Sequence, residues 1–204
     1  MTRKTGLVLF GIVSLVLLAP PTWAASVRTV NIQEMVQLSG TIFYGRCLSS
    51  ADSVDPVSGL GIRTYRFLVL EPLKNTESGQ VVEFRQIGAS GKGYTIPGVP
   101  EFRKGQELLL FLHGESKSGL TSPVGFQQGV FRAETLEGGE LGFTNAYGNR
   151  NLSFQLAPEA QVRAGLESAE VRTLQSGEPV PLPLLRDIVV KLERYNDQIE
   201  GRVQ

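Results

Sequence analysis

"IRTYRFLVLEPLK", residues 62–74, decides the fold. Tyr65, Phe67 and Val69 fall on one side of it, and Thr64, Arg66 and Leu68 on the other. That period of two belongs to a β-strand, and the aromatic and β-branched content suits one. The neighbouring segments carry the same signal. Upstream, "TIFYGRCLSSAD" (41–52) reads as a strand in which Gly45 marks a bulge or a close backbone approach. The turn-rich "SVDPVSGLG" separates the two. Downstream, "KNTESGQ" turns the chain into "VVEFRQI" (81–87). "ELLLFL" (107–112) is apolar on both faces, which predicts a central or covered strand. "GVFRAET", "ELGFTN" and "RNLSFQL" (150–156) add three short segments, with "LEGG" as a hairpin turn between the first two. Short strands at roughly ten-residue spacing predict a mostly β fold, a small closed or sandwiched sheet such as a β-barrel of five or more strands.

Helical signals flank this core. Asn31 is an N-cap, and Ile32, Met35 and Val36 share a face, which predicts a short helix over 32–38 ended by Gly40. Pro158 to Leu174 is rich in Ala, Glu and Gln and is weakly helical at best. "SGEPVPLP" reads as an extended proline-rich connector, so 158–183 forms a linker. "LLRDIVVKLERYNDQIE" is an amphipathic helix over 184–199, with Leu185, Ile188, Val189, Leu192 and Ile199 on one face. Asp187 and Lys191 make a favourable i,i+4 pair. The barrel domain is expected over 25–157.

The N-terminus predicts export. Arg3 and Lys4 precede the apolar run Gly6–Leu18, and Thr22 and Ala24 are small residues before a cleavage point after Ala24. The run is shorter than the ~20 residues a spanning helix needs, so no stable membrane insertion is expected after cleavage. Residues 1–24 are thus read as a signal peptide, and the periplasm or the extracellular space as the destination. Losing Arg3 and Lys4 leaves 18 basic and 20 acidic residues. No Lys/Arg cluster exceeds a pair, which argues against nucleic acid as a partner.

Several chemistries fail on spacing. A P-loop needs G-x-x-x-x-G-K-[ST], but Gly91-Lys92 is followed by Gly93, and Gln86 stands where the first glycine belongs. "GASGK" lacks the last glycine of a nucleophile elbow. Cys47 and His113 are the single cysteine and the single histidine, too few for a structural zinc site and insufficient for an internal disulfide. Cys47, in an apolar alternating run, reads as a small buried hydrophobe. Asp52, Asp55, Glu71 and Glu101 carry no spacing that separates them from surface charges. This reading assigns no catalytic residue, metal or cofactor.

The long Gly/Pro-rich connection ahead of "ELLLFL" is the candidate recognition loop, since binding residues concentrate on loops held by a rigid scaffold. Lys92, Tyr94, Ile96, Pro97, Val99 and Phe102 are its candidate contacts. Over about Ile42 to Arg132 the running order resembles a group of exported bacterial domains and, more loosely, the netrin-like/tissue-inhibitor-of-metalloproteinase family. The resemblance rests on Gly45; on Tyr65, Phe67, Val69, Leu73 and Lys74; and on Gly105 with Leu108 to Leu112. It implies a five-stranded OB-like barrel with a packed helix. That family inhibits through a cysteine at the mature N-terminus and is held by disulfides. Here the expected mature start is Ala25-Ser26-Val27, and neither feature is present. The expectation is therefore an exported non-enzymatic domain that binds a protein partner, such as an extracellular metalloprotease. The alternatives are a hydrolase using Cys47 and His113, and a structural component of the cell envelope.

Overall fold

The computed structural model describes residues 28–56, 58–88, 96 and 98–201. The expected signal peptide lies outside them. Along the chain run α1 (Ile32–Leu38), β1 (Ser39–Val54), β2 (Gly61–Lys74), β3 (Val81–Ile87), β4 (Glu107–His113), a 3₁₀ turn (Phe126–Gly129), β5 (Val130–Thr135), β6 (Leu141–Asn145), α2 (Pro158–Ala164), α3 (Ser168–Ser176), β7 (Val180–Pro181) and α4 (Leu182–Glu200). The fold is mostly β, with a short N-terminal helix and a C-terminal one, as the sequence predicts.

The strands form one antiparallel sheet in the order β3-β2-β1-β4-β5-β6-β7. β1 is 16 residues long and runs between β2 and β4. Its register against β2 shifts at Ile42/Phe43, Tyr44/Gly45 and Cys47/Ser49. Each shift bends the strand and tightens its twist, so the sheet curls into a half-barrel. The curl carries the chain after β4 back to β3. Leu120 makes an isolated bridge with Arg85, and Thr121 N–H donates to Arg85 O at 2.9 Å.

Two apolar layers follow from the alternation. Inside the curl, Phe43, Tyr65, Phe67, Phe84 and Leu110 pack around Phe102. The Phe102 ring meets Tyr65 at 4.9 Å and Phe67 at 5.6 Å, both edge-on. The opposite face of β1, β4, β5 and β6 presents Ile42, Tyr44, Leu109, Phe111 and Phe143 to the helices. β4 serves both layers, Leu108 and Leu110 inward and Leu109 and Phe111 outward, which is why its sequence is apolar throughout.

α1 begins with a capping box. Asn31 Oδ1 accepts from Glu34 N–H at 2.9 Å, and Glu34 Oε2 accepts from Asn31 N–H at 3.3 Å. α4 docks on the outer layer through Leu185, Ile188, Val189 and Leu192, all fully buried, while Ile199 stays partly exposed at its end. Asp187 Oδ2 pairs with Lys191 Nζ at 2.7 Å, as its spacing predicts. Lys191 also reaches both carboxylate oxygens of buried Glu170 on α3, at 2.9 and 3.0 Å.

Two segments differ from their sequence reading. The stretch 158–183 is not an open connector: it holds α2, α3 and β7, and it buries Ala160, Ala164, Leu174 and Val180. Gly165 (φ 71°) and Gly177 (φ 77°) end the two helices in the left-handed conformation glycine allows. "RNLSFQL" is a run of turns instead of a strand. Asn149 (φ 57°) and Gln155 (φ 51°) sit in the left-handed region at its ends, which a strand cannot accommodate. The side chains of Asn145, Asn149 and Asn151 replace ladder hydrogen bonds there. Asn145 Nδ2 donates to Gln128 O (3.0 Å) and Asn151 Oδ1 (2.9 Å), and Asn151 Nδ2 donates to Val30 O (2.8 Å). Gln128 completes the network by accepting from Val30 N–H at 2.8 Å, which ties the segment before α1 to the outer layer.

Candidate functional site

β3 ends beside the start of β2, with Ile87 opposite Ile62, whereas β4 ends beside the start of β1, with His113 opposite Ser39. In a flat sheet these ends lie far apart. The curl brings both to one cleft of about 530 Å³. Gln86 and Ile87 contribute from β3, Ile96 and Val99 from the connection to β4, and His113 and Gly114 from the end of β4. The returning segment adds Ser116, Leu120, Thr121 and Ser122, and the 3₁₀ turn adds Phe126.

The returning segment is held firmly. His113 N–H donates to Ser122 O at 3.0 Å, Thr121 Oγ1 donates to His113 O at 2.7 Å, and Ser116 N–H donates to Leu120 O at 2.8 Å. Val124 N–H donates to Phe111 O at 2.8 Å, which fixes the approach to Phe126. Phe126 has φ 55°, a costly conformation for a bulky side chain. The surrounding bonds hold it there, with its residue on the cleft wall.

Gln86 is the unusual residue. Along "VVEFRQI" it shares the inward face with Val82 and Phe84, where an apolar side chain is expected. It is 4% exposed. Its Nε2 donates to Pro100 O at 2.8 Å, and among the described residues no group donates to its Oε1. A buried acceptor left open in this way is uncommon and costs about 1–3 kcal/mol.

Of the residues singled out in the sequence, Ile96 and Val99 line the cleft. Lys92, Tyr94 and Pro97 lie outside the described residues. Phe102 is not available to a partner. It is 3% exposed and anchors the inner aromatic cluster, because the chain has already turned inward towards β4 at that point. Its spacing from Val99 gave no sign of this, since loop residues have no periodicity to read. Sequence reasoning missed Gln86, Leu120 and Phe126. A polar residue at an inward register was the readable sign for Gln86. Leu120 and Phe126 join the cleft only through the curl.

The structure separates Cys47 from His113. Cys47 N–H donates to Gln106 O at 2.8 Å, so Cys47 lies beside the start of β4, whereas His113 ends it. Seven residues at ~3.3 Å each put them about 23 Å apart along the strand. Cys47 is buried in the inner layer, and burial pushes its thiol pKa up, opposite to the activation a nucleophile needs. The four carboxylates considered from sequence are laced to arginines: Asp52 and Glu101 to Arg63, Asp55 to Arg85, and Glu71 to Arg186. Among the described residues no group of three or more His, Cys, Asp or Glu side chains is placed to hold a metal ion. Among them, too, no helix is long and apolar enough to cross a membrane.

These features define a curled antiparallel sheet with a helical layer on one face and an apolar cleft where β3 and β4 end. No family model, curated protein or solved structure matches this chain.

Proposed function

We propose that the protein is an exported, non-enzymatic domain that recognises a protein partner through the cleft between β3, β4 and the segment 114–122. The observation that carries this reading is the wall itself. Five apolar side chains, those of Ile87, Ile96, Val99, Leu120 and Phe126, meet in one concavity on a hydrogen-bonded β scaffold. A concave, mostly apolar site with a few fixed polar groups is the usual form of a binding site. The N-terminal sequence supports export, and the resemblance to the netrin-like family supports a polypeptide partner of the extracellular metalloprotease kind. Inhibition by an N-terminal cysteine plays no part, because the expected mature start has none.

Pull-down from periplasm or culture supernatant tests the reading, with Val99→Asp and Leu120→Asp as controls. Val99 and Leu120 are only half-buried, so both variants are expected to fold, which their circular dichroism and melting temperature check. The unaltered protein is expected to retain a partner that both variants lose. Equal capture by all three forms would remove the cleft from recognition.

A further inference from the structure

We infer that the edge of β3 at residues 81–83 takes an extended segment of the partner as an added strand, held by backbone hydrogen bonds. This rests on the proposed recognition of a protein partner and names where the partner's main chain would lie. The carrying observation is the direction of the β3 backbone. Thr121 N–H donates to Arg85 O at 2.9 Å, so the Arg85 carbonyl points away from β2. Gly88 N–H donates to Gly61 O at 3.0 Å, so Gly88 points towards β2. Main-chain groups alternate in direction along a strand. Val82, Phe84 and Gln86 therefore bond to β2, whereas Val81 and Glu83 each offer an N–H and a C=O to the open side. Among the described residues nothing pairs with these groups.

Elsewhere the chain closes its edges. β7 is two residues long, carries Pro181 and runs straight into α4, devices that keep further strands away. On β3 itself the bridge from Leu120 covers Arg85. Residues 81–83 carry no such protection. Their register against β2 is unbroken, unlike that of β1, so the edge is regular. β3 contains neither Pro nor Lys, and Val81 is 40% exposed. A strand laid there runs up to Leu120, which also lines the cleft, so one partner segment can use both surfaces. A second copy is the poorer occupant, because so short an edge falls well below the area a stable dimer buries. The side chains set the partner's chemistry. Val82 packs on the inner layer, whereas Glu83 lies on the other face, 58% exposed despite its ion pair with Arg66. The added strand should set a β-branched residue beside Val82 and a basic one beside Glu83.

Hydrogen exchange and NMR titration of isotope-labelled protein test this directly. In the free protein the amides of Val81 and Glu83 are expected to exchange far faster than those of Val82 and Phe84, which the ladder protects. The probe is a capped peptide of alternating valine and lysine, about eight residues long. It is expected to shift the Val81 and Glu83 amide signals and to slow their exchange. Glu83→Pro removes the outward N–H and spares the ladder, as an edge strand allows, and should weaken the peptide about tenfold. Glu83→Ala keeps the N–H and should bind within about threefold of the unaltered protein, since only an exposed charge is lost. The exchange pattern and the titration of the unaltered protein stand even if the proline variant folds poorly. Slow exchange at Val81 and Glu83 in the free protein, absence of binding, or equal binding by Glu83→Pro would overturn the inference. So would protection that grows with protein concentration alone, since a second copy would then hold the edge. None of these results affects whether the cleft captures a partner, which the Val99 and Leu120 variants decide separately.

Discussion

Gly45 has no room for a methyl group. A Cβ there would stand 2.6 Å from Leu68 O and 3.0 Å from the Phe43 ring, at one of the register shifts that bend β1. Gly45→Ala is therefore expected to cost about 1–3 kcal/mol, read as a lower urea midpoint at unchanged slope. One residue earlier, Tyr44 Oη donates to Glu107 Oε2 at 2.5 Å, and Arg46 Nε donates to Glu107 Oε1 at 2.8 Å. The Tyr44 hydrogen bond, then Arg46, hold the Glu107 carboxyl below its usual 4.5. Burial first, then Glu107, push Tyr44 from 10.0 up to about 12. The signs differ. The stabilisation from Glu107 is complete above pH 4.5 and is lost as pH falls through its lowered folded value. That from Tyr44 is complete below pH 10 and is lost as pH rises towards about 12. Tyr44→Phe keeps the edge-on contact with Phe143 but removes the hydroxyl. The gap in melting temperature between the protein and this variant should narrow on both the acid and the alkaline flank. A gap constant across pH would contradict the linkage. At this scale the sequence was readable where geometry leaves one option, as at Gly45. It was silent where a loop side chain turns inward, as at Phe102.

Elements were legible in proportion to how much apolar surface each one buries. α4 carries a stripe of four large aliphatic residues, so its helix and its docking face could both be read. Val189 is fully buried against the sheet, and Val189→Asp places an unpaired charge there. A loss on the order of 4 kcal/mol in the isolated monomer is expected, seen as a large drop in melting temperature. An unchanged melting temperature would mean that α4 docks elsewhere in solution. α2 and α3 were hidden because each is short and buries mainly small or polar groups, Ala160 and Ala164 in one and Glu170 and Leu174 in the other. Their helicity depends on packing beneath α4 more than on local propensity. The segment 150–156 was misread because its apolar residues alternate, while Asn151 and the preceding Asn145 and Asn149 do the structural work. Asn145→Ala removes two donated bonds and the acceptor for the Tyr147 and Asn149 N–H groups. It should cost about 2–4 kcal/mol and speed amide exchange at Val30 and Leu152 ahead of the inner strands. Uniform exchange across the sheet would show that the network is not a local clasp.

For the whole molecule, the curl is what converts a strand pattern into a site. Alternation in β2 and the apolar run of β4 revealed a sheet and its double-sided β4, and the structure resolves these into two apolar layers. The cleft was only half legible: Ile96 and Val99 come from the suspected loop, whereas Leu120 and Phe126 arrive because the chain after β4 folds back onto β3. Long-range closure of this kind depends on accumulated twist and bulges, which no local window of sequence contains. The helical layer, on the opposite face, gives a built-in control surface. Val162 on α2 is 79% exposed there and lies outside the cleft. The most direct measurement places a photo-crosslinking side chain at Val99 or at Val162 and irradiates intact cells. The account predicts a discrete adduct with one partner from position 99, absent from position 162 and suppressed by Leu120→Asp. Adducts from position 162 alone, or from both positions regardless of Leu120, would contradict recognition through the cleft.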